Sequence, residues 1–412
     1  MTLRAIEQPS ASGILTSLRD CFGKGFPENR LGGTAGQAGR RAAEGGWRGG
    51  PVPDVRPDGQ QRVTLQDVAD RAGVSLTTAS RVVNARAVRD GSRKVGKALE
   101  DRVNKAVADL GYTANLQARA VATGQSTMVG VALRDISDPY FSEIAAGLIE
   151  VADGELIGGG RLLLCMTSTA ANEDAEREYV ALMRAQRARA VVLVGSRSDN
   201  TAARSALRAE LEAFTRAGGR AACIGQDLLG VDTVLPDNRS GAEALARALA
   251  ALGHRRFAVL AGPRSLLTVQ DRARGFLDGL SAWSVPLEAA RVVHGELSRD
   301  GGYAAMSEIL AAGEPLPDCV FAVSDIMAVG ALARLRAAGI DVPGAIALAG
   351  FDDIPTLRDV YPPLTTVRLP LKRLGEIAAR LVLSHDAPTR PRVVPVPGEV
   401  VLRDSTRPRP PR

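Results

Sequence analysis

The chain has 412 residues, of which 45% are apolar, 24% charged and only 4% aromatic, with a net charge of +6 at pH 7. That length suits two or three domains with substantial cores, and no apolar run approaches the roughly 18 residues that a membrane span requires. The N-terminus lacks the basic patch, apolar stretch and small-residue cleavage site of a secretion signal, which points to the cytoplasm.

The four cysteines (Cys21, Cys165, Cys223, Cys319) are far apart and form no CxxC; buried free thiols in a reducing compartment are the simplest reading. His254, His294 and His385 share no metal-ligand spacing, so neither a metal nor another cofactor is expected. Charge is uneven. Residues 61–125 hold 11 Lys/Arg against 6 Asp/Glu, and residues 1–60 hold 8 against 6, which leaves residues 126–412 at −1.

Residues 1–61 are rich in Gly, Arg and Ala without any period; Gly45-Gly46-Trp47-Arg48-Gly49-Gly50-Pro51 is typical. Such a composition buries too little apolar surface to order a chain. A disordered extension is expected, either a loose DNA-binding arm or the product of a start codon placed too far upstream.

Residues 62–113 read as helices. Thr64 is a good N-cap, and Asp67 three residues later completes a capping-box-like pair. Val68, Ala69 and Ala72 face inward, Gly73 supplies a turn, and Ser75 caps a second helix. There Val82 and Val83 return to the core while Leu76, Thr77 and Arg81 point outward. A third helix over 95–110 carries Leu99, Val103, Ala106, Val107 and Leu110 on one stripe and stops at Gly111. Two short helices joined by a tight turn, the second presenting small polar groups and an arginine, form a helix-turn-helix pattern that lays a recognition helix in the major groove. The positive surplus sits on this segment, where phosphates would lie. The loop 85–94 carries Arg86, Arg89, Arg93 and Lys94, which either add phosphate contacts or stand in solvent. Gly91 to Lys97 fits G-x-x-x-x-G-K, but Ala98 follows where a phosphate loop needs Ser or Thr, and no strand precedes it.

From residue 128 short apolar strands alternate with amphipathic helices. Strands are expected at 128–133, 162–166, 190–194, 221–224, 257–261, 291–294, 319–323 and 345–349. Helices are expected at 141–153, 173–186, 203–217, 239–252, 272–280, 302–311 and 328–338. Continuous Val/Ile/Leu runs separated by helices indicate parallel sheets covered on both faces. Two such blocks, joined near Leu235 and again near 323–350, suggest two α/β lobes around a cleft, with ligands outside the carboxyl ends of the strands.

With these residues in place, the chain resembles the lactose-repressor (LacI) family of bacterial transcription regulators from about Val63 to about Thr406. The family pattern V-x-x-D-V-A-x-x-A-G-V-S-x-x-T-x-S-R-V-x-N stands here as Val63 to Asn84. Gly111-Tyr112-Thr113-Ala114-Asn115, Ala118-Arg119-Ala120-Val121, Asp138-Pro139-Tyr140-Phe141, Arg272-Ala273-Arg274-Gly275-Phe276, Ser324-Asp325, Gly350-Phe351-Asp352-Asp353 and Pro363-Leu364-Thr365-Thr366-Val367 follow in the family's order. The resemblance implies a helix-turn-helix domain (62–113), a hinge helix and linker (114–126), a two-lobed periplasmic-binding-protein-like α/β core (127–406) and a disordered tail (407–412).

It also implies roles for residues. Leu76, Thr77 and Arg81 map to positions that read base edges, with Arg81 suited to guanine O6/N7. Leu65 through its backbone, Ser75, Thr78, Ser80 and Asn84 map to phosphate contacts, which set register; Thr78 and Ser80 read equally as helix-surface filler. Asn115, Ala118 and Val121 map to the hinge, which wedges an apolar side chain into the minor groove. Val121 stands where leucine is usual and Ala114 where proline is usual. In the cleft, Asp138, Tyr140, Phe141, Thr167, Ser196, Arg272, Ser324 and Asp352 map to effector contacts; the alternative for Arg272 with Asp352 is a salt bridge between lobes.

The expected partners are palindromic operator DNA, a second copy in a two-fold homodimer and a small-molecule effector, by default a sugar. No membrane is expected as a partner. The Pro/Arg-rich tail 403–412 has no leucine heptads, so no tetramerising coil is expected. The expected function is a DNA-binding repressor controlled by that effector. An enzyme on the same scaffold lacks any Ser/His/Asp, paired-carboxylate or metal constellation to support it. The missing signal peptide and the present helix-turn-helix argue against a periplasmic binding protein.

Overall fold

The computed structural model describes residues 63–85, 96–113, 126–157, 160–170, 172–285, 290–313, 315–384 and 390–409. The N-terminal extension, most of the loop 85–94 and the hinge residues Asn115, Ala118 and Val121 lie outside the described residues.

Three helices come first: α1 (Leu65–Ala72), α2 (Leu76–Ala85) and α3 (Lys97–Leu110). The capping box at Thr64 and Asp67 is complete, and Gly73 turns the chain at φ 63°, a left-handed conformation that glycine adopts without strain. Val68, Ala72, Val82, Val103 and Ala106 form the core, with Ala69 and Ala79 also buried. Leu99 corrects the expected stripe, because it is 37% exposed. Residues 96–102 are all exposed, and packing begins one turn later, at Val103.

The first lobe runs β1 (Met128–Leu133), α4 (Pro139–Gly154), β2 (Leu156–Ile157), β3 (Gly160–Arg161), β4 (Leu163–Ser168), α5 (Glu173–Ala185), β5 (Ala190–Val194), α6 (Thr201–Arg216), β6 (Arg220–Ile224) and β7 (Asp232–Pro236). The second runs α7 (Asn238–Ala251), β8 (Phe257–Ala261), α8 (Leu267–Ala282), β9 (Ala290–His294), α9 (Arg299–Ala311), β10 (Cys319–Ala322), α10 (Asp325–Ala337), β11 (Ala347–Ala349) and β12 (Thr366–Arg368). The chain then forms α11 (Leu371–Leu383), β13 (Val393–Val396) and β14 (Glu399–Val401).

The first sheet has the order β13-β7-β6-β5-β1-β4 and the second β11-β10-β8-β9, with every pairing within both parallel. The central strands β5 and β8 are buried along their whole length, as parallel strands covered by helices must be.

The connections between lobes differ from the sequence reading. The first crossing follows β7, as expected. No crossing occurs over 323–350, because β10, α10 and β11 all stay in the second lobe. The chain returns only through α11, whose apolar stripe (Leu371, Leu374, Ala378, Leu381, Val382) is buried, adds β13 to the first sheet, and goes back to pair β14 with β12. Glycines let α4 and α11 approach backbone to backbone: a Cβ at Gly375 would lie 2.0 Å from the Ile144 carbonyl oxygen.

The tail also corrects its reading. Arg409 donates its backbone N–H to the Leu252 carbonyl (2.8 Å) and its guanidinium to Asp318 and to the Ala345 carbonyl. The chain is therefore anchored to the second lobe as far as residue 409.

Candidate functional site

The helix-turn-helix is built so that one face of α2 stays outside. Ala79 and Val82 anchor the inner face, and Leu76, Thr77 and Arg81 are exposed on the outer one. Thr77 and Arg81 are four residues apart and so stand side by side. Ser75 accepts from the Thr78 backbone N–H (3.1 Å) and shares a hydrogen bond with the Thr78 hydroxyl (2.9 Å), which fixes the start of α2. Leu65 opens α1, half-exposed, and Thr78 and Ser80 are half-buried. The Asn84 side chain lies outside the described residues. Arg102, which sequence reading passed over, donates to the carbonyls of Ala72 and Gly73 and ties the turn to α3. A cation suits the carbonyl-rich end of α1, but nothing in the pattern singles it out from its neighbours.

The second site is the cleft between the lobes, about 500 Å³ with its mouth included. Five residues form its centre: Arg272 from α8, Asp352 after β11, Ser324 at the start of α10, and Asp138 and Tyr140 at the start of α4. Arg272, 4% exposed, forks onto Asp352 through bonds of 2.7 and 3.2 Å. It also donates to Asn238 (2.8 Å) and to the Val323 carbonyl (2.8 Å), and stacks 4.0 Å over the Phe351 ring. Both ends of the fork belong to the second lobe, so a salt bridge between lobes is excluded as its role.

Burial pushes the Asp352 carboxyl up to about 7 against the opposing pull of Arg272. Its backbone sits at φ 124°, a strained value for a residue with a side chain. Hydrogen bonds from its N–H to the Val367 carbonyl (2.8 Å) and from Leu369 to its own carbonyl (3.2 Å) hold it there. Strain maintained by the surrounding frame is characteristic of binding sites.

Asp138 caps α4 by accepting from the Tyr140 N–H (3.0 Å), and burial pushes its carboxyl up. Burial likewise raises the Tyr140 phenol, which stays neutral. Tyr140 meets Phe141 edge to face at 4.9 Å. The Ser324 hydroxyl is buried in the cleft with no hydrogen-bond partner among the described residues. A buried hydroxyl without a partner costs on the order of 1–3 kcal/mol, which a hydroxylated ligand would recover.

Ser196 lines the cleft and joins the lobes: its hydroxyl accepts from the Thr268 N–H (2.9 Å). Gln226 donates to the Thr268 hydroxyl (2.9 Å), Leu267 donates to the Arg197 carbonyl (2.9 Å), and Ser198 bridges Leu266. The loop 195–199 is thus a clasp onto the start of α8. Behind it lies a buried ion pair, Arg197 forked onto Glu176, while Glu173 accepts from the Ser198 N–H (3.0 Å) and hydroxyl (2.8 Å).

Thr167 is not among the residues lining the cleft. The two-residue period of β4 puts it on the face of Cys165, which packs toward α5 and α6. Arg134, Asn238 and Thr268 line the cleft and were not foreseen. Arg134 follows β1 at the carboxyl edge of the sheet, which was a legible signal; Asn238 and Thr268 carried none. Asp325 lies beneath, buried, accepting from Ile354 N–H and the Thr366 hydroxyl. Asp353 pairs with Arg368 and Arg403, a structural role. Cys223 and Cys319 are buried free thiols and Cys165 a half-buried one.

Comparison with known proteins finds relatives along both regions of the chain. Residues 64–115 match the bacterial regulatory proteins of the lacI family, and residues 246–406 match a periplasmic binding protein-like domain. The HTH-type transcriptional regulator GalR of Escherichia coli (strain K12) is 33% identical over 327 residues, covering 78% of this chain and 88% of GalR. The chain belongs to the LacI family. Among solved structures, the lac repressor dimer bound to operator and the anti-inducer ONPF is 27% identical, with a TM-score of 0.69, and the match covers 84% of this chain and 100% of that one. A CelR–cellobiose complex is also 27% identical, with a TM-score of 0.57 over 84% of this chain and 100% of that chain. Relatives of this kind are transcriptional regulators, not enzymes. Among the described residues no helix is long and apolar enough to cross a membrane.

Proposed function

We propose that this LacI-family regulator is a cytoplasmic repressor that binds palindromic operator DNA as a two-fold dimer and that a polyhydroxylated small molecule, a sugar by default, sets its grip from the cleft. The observation that carries the reading is the cleft's centre: a buried hydroxyl without a partner beside a strained carboxylate, an arginine fork and an aromatic edge. These are the groups that recognise a hydroxylated ring. The lac repressor relative solved as a dimer on its operator, and the CelR relative solved with cellobiose, support the same division of labour. Arg81 and Thr77 read base edges, Leu76 offers an apolar face, and Leu65, Ser75, Thr78, Ser80 and Asn84 hold phosphates. Asn115, Ala118 and Val121 form the minor-groove hinge.

The ligand shifts the DNA-binding equilibrium only as far as it prefers one lobe arrangement over the other. The clasp at Ser196, Ser198 and Thr268 is what such a preference would act on. Fluorescence anisotropy with the gene's own upstream DNA and with random duplex tests this: the upstream palindrome should bind far more tightly at moderate salt, and sugars should change its affinity. Equal affinity for both duplexes, with and without sugars, would overturn the reading.

A further inference from the structure

The cleft holds two guanidinium groups in very different conditions. That of Arg272 is saturated by Asn238, the Val323 carbonyl and both oxygens of Asp352. That of Arg134 lines the same cleft and makes no hydrogen bond or ion pair among the described residues. Its base is nevertheless fixed. The Arg134 carbonyl accepts from the Ala170 N–H (2.9 Å) and from the Ser168 hydroxyl (2.9 Å), which pins the end of β1. Gly195 lies beside it, the position of its missing Cβ 3.5 Å from the Arg134 Cβ, an ordinary packing distance.

An arginine cannot shed its proton at any ordinary pH. A half-buried guanidinium without a partner therefore stays charged while losing hydration, and burial is the leading influence on it, opposed by Asp138 and Asp135. The carboxyls nearby offset it only in part, each being engaged elsewhere: Asp135 accepts from the Ser137 N–H (2.9 Å) and hydroxyl (2.7 Å). Asp138 is committed to capping α4, and Asp352 to Arg272. Burial makes both harder to ionise than ordinary aspartates. The cleft also receives the starts of α8 and α10 at Thr268 and Ser324; the N-cap residues Leu266 and Ser324 supply no side-chain cap, and of these N–H groups Ser196 takes that of Thr268. Helix starts carry partial positive charge.

We propose that Arg134 makes the cleft selective for an acidic sugar, one bearing a carboxylate or a phosphate whose oxygens accept a forked pair of hydrogen bonds from this guanidinium. The inference rests on the sugar reading of the cleft and narrows it. The hydroxyls of such a ligand fall to Ser324 and Asp352, and its charge to Arg134. A planar fork matches carboxylate and phosphate oxygens equally, so the ligand's source, an oxidised sugar or a phosphorylated one, is decided by the test.

Isothermal titration calorimetry on the full chain with hexuronates, aldonates, hexose phosphates and their neutral parent hexoses distinguishes the outcomes. At least one acidic probe should bind roughly 10- to 100-fold more tightly than its neutral parent, the range of a charge-assisted hydrogen-bond pair. Arg134→Gln should erase that ratio, and Arg134→Lys should keep part of it. The acidic class that binds names the source. Neutral hexoses binding as tightly as their acids, with Arg134→Gln inert, would overturn the charge assignment and leave the sugar reading standing. Binding of neither class would overturn both.

Discussion

Replacing Arg197 with Met should destabilise the core by about 3–5 kcal/mol, the cost of leaving a buried carboxylate without its partner. Arg197 and Glu176 are 1% and 2% exposed, and the fork between them is supplemented by a bond from Arg197 to the Gly195 carbonyl (3.2 Å). Glu176 has no other charged partner within salt-bridge distance among the described residues, so it is left nearly dry. For a core of this size about 2–4 °C of Tm accompanies each kcal/mol, giving a fall on the order of 6–20 °C by differential scanning calorimetry. Glu176→Met should cost a similar amount. The double variant should recover most of the loss, because a buried pair barely outweighs well-packed apolar side chains. A double-mutant cycle therefore predicts a large coupling energy. Single variants that cost less than about 1 kcal/mol, or a double variant equal to the sum of its parts, would refute the assignment. Because the pair underlies the loop that clasps α8, the single variants should also blunt any effector response.

Other perturbations separate the two sites. Arg81→Ala should weaken operator binding by roughly 1–3 kcal/mol and leave effector affinity alone; unchanged operator affinity counts against base reading by this residue. Arg272→Ala should abolish the effector response while operator binding persists, and a response of wild-type size would exclude the fork from the site. Gly147→Ala should lower Tm although alanine favours helices by about 1 kcal/mol. Its Cβ would lie 1.9 Å from the Lys372 carbonyl oxygen, a clash that outweighs the propensity; a stabilised variant would contradict the close approach of α4 and α11. Acid should release the tail. Burial works to raise the Asp318 carboxyl, but N–H bonds from Arg256 and Arg255 and the charges of Arg256 and Arg409 hold it below its ordinary 3.8. Its contribution is therefore complete above that value and is lost as pH falls through the lowered one. The Tm gap between wild type and Asp318→Asn should shrink below about pH 4, and a gap constant from pH 6 to pH 3 would count against the anchor.

Much of the architecture was legible because it follows local rules. β1, β5 and β8 occupy the expected residues, since each is a short buried apolar run bounded by turn signals. The outer face of α2 was legible for the same reason: burial of Ala79 and Val82 determines what remains outside. What escaped depends on distant contacts. Leu99 has the right spacing for the stripe, but its side chain stays 37% exposed, and burial on α3 begins only at Val103. Thr167 lies one residue before the end of β4 but faces the side of Cys165, and only the packing of that face against α5 and α6 determines that. The return through α11 was missed because its stripe says that it packs, not on which lobe. Arg409 is held by Asp318, 91 residues earlier in the chain, and no local pattern announces such a contact.

The central claim is that the cleft and the DNA-reading face share one equilibrium. Titrating operator DNA at zero and saturating effector, and effector at zero and saturating operator, measures the coupling from both ends. The account predicts two equal factors, different from one, because linkage is reciprocal. An effector that binds the cleft and leaves operator affinity unchanged would contradict it.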